Sequence, residues 1–137
     1  MLKKISLLIL FVITSSSLLI SQQLHADLKF TTKKISDCEY DLLFNVTIED
    51  GWHMYSLNEV KDGPLPTVFK FDKSSDYELV GKVKQSTPIK EFDKVFEVNV
   101  EYYEHKATFT QRVKLKTDKK IKVTGKYEYQ GCTATYC

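Results

Sequence analysis

FEVNVEYYEHKATFTQRVKL, residues Phe96 to Leu115, decides the fold. Phe96, Val98, Val100 and Tyr102 alternate with Glu97, Asn99 and Glu101. A strand turns successive side chains to opposite faces, so the first set shares one face. After Glu104-His105 the alternation resumes at Ala107, Phe109, Gln111, Val113 and Leu115, and the pattern predicts two strands joined as a hairpin.

The same period runs outward in both directions. Upstream, Leu42, Phe44, Val46 and Ile48 alternate with Leu43, Asn45 and Thr47, and Asp50-Gly51 interrupts the chain before a second strand from Trp52 to Ser56. KDGPLPT, residues 61–67, carries two prolines that lack an N–H and fix φ, so it predicts a loop. Val68, Phe69 and Phe71 open another strand, Tyr77 to Gln85 forms the next, and Ser86-Thr87-Pro88 ends it. Downstream, Ile121, Val123, Gly125, Tyr127 and Tyr129 make the last alternating run, which leads into Gln130-Gly131-Cys132. No segment has a helical period and no repeat is present. Roughly seven or eight short strands, spaced by about 8–12 residues, predict an all-β, immunoglobulin-like two-sheet β-sandwich.

Residues 1–26 read as an export signal. Lys3 and Lys4 give a positive start, an apolar run spans Ile5 to Ile20, and Ala26 offers a small residue for cleavage. Thr14 to Ser17 interrupt the run, which argues for a cleaved leader over a membrane anchor. The 111 residues from 27 to 137 then suit one domain with one core. Without Lys3 and Lys4 the domain has 18 basic and 18 acidic residues. A neutral chain with no dense basic cluster gives no basis for nucleic-acid binding. Export would place the domain in the periplasm, where disulfides persist, and all three cysteines, Cys38, Cys132 and Cys137, lie within it.

Four residues separate Cys132 from Cys137, so a turn could bring the two sulfurs together. Spacing and compartment alone tilt the balance toward a structural staple in a non-catalytic binding module. However, a closed loop this small constrains little of the unfolded chain. A copper site built from His53, Met54, Cys132 and Cys137 is a further alternative, but only threonine, alanine and tyrosine lie between the cysteines, where a copper loop would carry histidine and methionine. There is no Gly-x-Ser-x-Gly elbow and no histidine pair at metalloprotease spacing. No metal and no cofactor are expected.

DGWHMYS at Asp50 to Ser56, KEFDKVFEVNV at Lys90 to Val100 and above all VTGKYEYQGCTATYC at Val123 to Cys137 decide between these alternatives. Through them the chain resembles the N-terminal periplasmic domain of the thiol:disulfide interchange protein DsbD family. The resemblance implies a protein-disulfide reductase domain that passes reducing equivalents to thioredoxin-like periplasmic oxidoreductases. Cys137 would join the partner in a mixed disulfide and Cys132 would resolve it. Phe92, with Glu91 and Asp93, would form a cap over the pair, with His53, Tyr55, Gln130 and Gly131 as its neighbours. Histidine at position 53 departs from the tyrosine of the best-known members and offers a group able to hydrogen-bond or tune a thiol. Cys38 has no counterpart, and is expected to be a buried or half-buried free thiol. Family members continue past the position of Cys137 through a proline-containing segment and a further strand. The resemblance therefore implies a domain cut short at its C-terminus; full-length members also carry membrane and thioredoxin-like domains, candidate partners within one longer polypeptide that this sequence does not itself reveal.

Overall fold

Alternating sequence becomes antiparallel ladder throughout the computed structural model, which describes residues 25–137. Most of the expected export signal, residues 1–24, lies outside the described residues. Ten strands follow in chain order: β1 (Ala26–Lys34), β2 (Glu39–Ile48), β3 (His53–Tyr55), β4 (Val68–Phe71), β5 (Tyr77–Gln85), β6 (Ile89–Asp93), β7 (Val98–Glu104), β8 (Lys106–Leu115), β9 (Gly125–Glu128) and β10 (Gly131–Cys132). One sheet has the order β1-β2-β8-β5 and a second the order β10-β3-β7-β6, while β4 and β9 form a separate pair.

The stretch Phe96 to Leu115 forms its two strands, but they do not make a hairpin. β7 pairs with β3 and β6, whereas β8 pairs with β2 and β5. A single residue, His105, separates them, with φ of 60°. One left-handed residue bends the chain but is too short for a turn that folds β8 back on β7. The strand instead passes from one sheet to the other, as at the corners of packed sheets. Its inward residues join the two layers: Phe109 is 0% exposed and packs with Tyr103, Met54, Val46, Ile48 and Ala107.

Smaller departures from the expected pattern have local causes. Phe96, predicted to open a strand, sits in the turn before β7, because the Asp93 carboxylate accepts the Val95 and Phe96 N–H groups and curls the chain. Ile121 and Val123 alternate as a strand does, yet they pack on Leu42, Tyr77 and Val113 outside any ladder. In β5 the register shifts between Val80 and Lys84, where Gly81 takes φ of 70°. The bulge exposes two carbonyls, Val80 and Gly81, to the buried Gln111 amide, which donates to both. Gly125 is required for close approach, since a Cβ there would run into the Lys70 carbonyl oxygen across the β4–β9 pair.

Candidate active site

The cysteines meet at the edge of the second sheet. Cys132 ends β10, opposite His53 in the β10–β3 register. Beyond it, Thr133 closes a tight turn. Its hydroxyl accepts the Thr135 and Tyr136 N–H groups, and its own N–H donates to the Tyr136 carbonyl at 2.7 Å. This folding-back brings Cys137 to a Cα–Cα distance of 4.0 Å from Cys132, and the two are joined as a disulfide. The two sulfurs differ in setting. Cys132 is 1% exposed, in a small core with Tyr55 and Val100, whereas Cys137 is exposed.

Cys137 lies on the wall of an open cavity of about 730 Å³, shared with Trp52, His53, Tyr55 and the β6–β7 turn. β6 forms one side of it and carries Glu91, Phe92 and Asp93. Phe92 is 54% exposed, so it is not a core residue, and its ring is available to the cavity. The segment expected as a cap loop is thus an edge strand plus a turn, held down by two tyrosines. Tyr55 donates to Asp93 at 3.1 Å, and Tyr102 donates to Glu91 at 2.6 Å. The bond to Glu91, with burial, pushes the Tyr102 hydroxyl up to about 12. Burial, then the Asp93 charge, raises the Tyr55 hydroxyl further, so both remain protonated donors at neutral pH. Burial alone would raise the Asp93 carboxyl. The Phe96 and Val95 N–H groups and the Tyr55 hydroxyl outweigh it, and the carboxyl lies below its usual range.

His53 joins the same network. Its Nε2 lies 3.2 Å from the Tyr55 hydroxyl, and its ring packs against Tyr55 and Tyr102 with centroids 5.2 and 5.1 Å away. Burial lowers its pKa despite the pull of Asp93 and Glu104, which favours the neutral imidazole. Gln130 braces the backbone instead. Its side-chain oxygen accepts the Leu65 N–H at 2.7 Å, which ties the proline loop to the approach of β10. Gly131 pairs with Met54 in the ladder beside Cys132.

A match to the family model described as "Thiol:disulfide interchange protein DsbD, N-terminal" spans residues 21–137. The chain belongs to the DsbD N-terminal domain family. No curated protein and no solved structure matches it. DsbD N-terminal domains are immunoglobulin-like thiol–disulfide exchange domains of the periplasm that work with thioredoxin-like partners, and the all-β architecture with its terminal cysteine pair agrees with that family. Among the described residues no helix is long and apolar enough to cross a membrane. Nor is there, among the described residues, a group of three or more His, Cys, Asp or Glu side chains that could hold a metal ion, and the two cysteines of the copper alternative are joined to each other.

Cys38 stands apart from the site. It lies in the turn between β1 and β2, unpaired and exposed, not buried as expected, because the ISDC turn projects beyond the last ladder pair, Lys34 with Tyr40. Sequence reasoning missed Tyr102, Trp52 and Tyr136. Tyr102 could have been found from its place on the Val98, Val100 face. Trp52 and Tyr136 meet edge to face at 5.6 Å only once the Thr133 turn has formed.

Proposed function

We propose that this domain, residues 27–137 after removal of an export signal, is a protein-disulfide reductase module with Cys137 as its attacking sulfur and Cys132 as its resolving sulfur. In the reduced domain the Cys137 thiolate attacks a disulfide sulfur of a thioredoxin-like protein, and one partner cysteine leaves as a thiolate. Cys132 then loses its proton and attacks Cys137 Sγ. The intermolecular bond breaks, the second partner sulfur leaves, and two electrons have passed to the partner while the Cys132–Cys137 disulfide reforms. The contrast in exposure supports this division: Cys137 faces an open cavity and Cys132 is 1% exposed beneath it. An incoming disulfide can reach the first sulfur and not the second.

Glu91, Phe92 and Asp93 would act as the cap on this cavity, and His53, Tyr55, Gln130 and Gly131 as its supports. The test is covalent trapping. Each reduced single mutant is mixed with a thioredoxin-like protein in its disulfide form and resolved on a non-reducing gel. Cys132→Ser should accumulate a mixed disulfide through Cys137, and Cys137→Ser should trap little. Equal trapping by both would refute the division of roles. No trapping by either, with folding confirmed, would return the bridge to a structural staple.

A further inference from the structure

His53 uses one ring nitrogen on Tyr55 and stands opposite Cys132, the proposed resolving cysteine, in the β3–β10 register. The Tyr55 hydroxyl has one proton, and it is given to Asp93 Oδ2 at 3.1 Å. At its oxygen, Tyr55 can therefore only accept from His53 Nε2, 3.2 Å away. The neutral imidazole that burial favours thus carries its proton on Nε2 and a lone pair on Nδ1. Among the described residues no group hydrogen-bonds that Nδ1. His53 and Cys132 are directly opposed in the antiparallel β3–β10 register. Opposed side chains share a face with Cβ atoms about 4.5–5.5 Å apart, a spacing across which an imidazole nitrogen can reach a thiol once the disulfide is reduced. Both side chains also belong with Tyr55 and Tyr102: Cys132 packs in the core these tyrosines border, and His53 packs on their rings.

We propose that His53 Nδ1 accepts the Cys132 thiol proton as Cys132 attacks the mixed disulfide at Cys137. This inference rests on Cys132 being the resolving sulfur. The S–H bond of Cys132 breaks and its proton passes to Nδ1. The electron pair forms the Cys132–Cys137 bond, and the partner sulfur leaves with the pair from the broken intermolecular bond. The imidazolium then returns its proton to solvent or to the departing thiolate. A buried thiol needs such a base, because burial disfavours its thiolate. The groups facing His53 are Tyr55 on its own strand, Tyr102 and Glu104 on β7, Glu91 and Asp93 on β6, and Cys132 on β10. The tyrosines stay protonated at neutral pH. Asp93 and Glu104 steady the imidazolium once it forms.

The probe is a chromogenic nitrobenzoate disulfide, used on the reduced chain carrying Cys38→Ser so that the exposed third thiol cannot react. Its first thiolate is released in a concentration-dependent phase as Cys137 attacks, and its second in a concentration-independent phase as Cys132 resolves. The second phase should quicken with rising pH through a limb centred below about 6.5, the ordinary histidine value. His53→Gln, whose amide can still donate to Tyr55 but cannot accept a proton, should lose that limb and slow the second phase at pH 7 by about tenfold or more. An unchanged second phase and pH profile in His53→Gln would overturn the role of His53 and leave the exchange reading standing. Absence of the acid limb from the parent would do so even if the variant failed to fold. Absence of a first phase from the parent would instead defeat the exchange reading itself.

Discussion

Replacing Phe92 with alanine tests the proposed cap. Phe92 is 54% exposed, so a little under half of the residue is covered. Complete burial of an aromatic side chain removes about 150–250 Å² from water, so the covered part of Phe92 amounts to about 70–115 Å². At about 25 cal/mol per Å² this is worth about 2–3 kcal/mol, an upper bound because part of the contact is with neighbours on β6 itself and survives opening. Phe92→Ala should therefore weaken closure by about 1–2 kcal/mol, which multiplies the open fraction about 5- to 30-fold. The assay is the pseudo-first-order rate at which dithiothreitol reduces the Cys132–Cys137 bond, read by alkylation and mass shift, with a urea melt to confirm folding. Reduction should accelerate within that range. A folded Phe92→Ala chain reduced at the parental rate would show that the ring does not shield the pair.

Other perturbations probe the frame around the site. Gly125→Ala should lower stability by about 1–3 kcal/mol in a denaturant melt, because the added Cβ meets backbone across the β4–β9 pair and not a side chain that can swing aside. A parental melt would mean that the two strands separate at little cost. Asp93 should make the β6–β7 turn acid-labile. Its carboxyl is depressed in the folded chain, so its contribution is complete above the unfolded value and is lost as pH falls through the folded one, below about pH 4. Asp93→Asn should flatten the fall in melting temperature over that acid range, and identical slopes in parent and variant would refute the assignment.

Much of the frame was legible in alternating side chains, and the failures have physical reasons. β2 and β8 lie at the centre of their sheet, where one face must be apolar, so Leu42, Val46, Phe109 and Val113 advertise them. β1 and β6 are edge strands whose exposed residues carry no such constraint, and Ala26–Lys34 and Ile89–Asp93 left little pattern to read. The passage of Phe96 to Leu115 between sheets was hidden because alternation records which face is buried and not which strand lies alongside. At the site, the cysteine spacing and family motifs pointed to Cys132 and Cys137, which a disulfide joins, and they suggested the cap role proposed for Glu91, Phe92 and Asp93. The hydroxyl bonds from Tyr55 to Asp93 and from Tyr102 to Glu91 depend on β3, β6 and β7 coming together from distant parts of the chain, and no local spacing encodes them.

The most direct test of thiol–disulfide exchange at Cys132 and Cys137 is stoichiometric electron transfer. The fully reduced chain carrying Cys38→Ser is mixed with an oxidised thioredoxin-like protein, quenched in acid, alkylated and weighed. Both proteins should change together: the chain gains the Cys132–Cys137 disulfide as the partner gains two thiols, at a rate far above that of a small dithiol at equal concentration. A chain that keeps both thiols while several such partners stay oxidised, with every fold verified, would contradict a redox role for the pair.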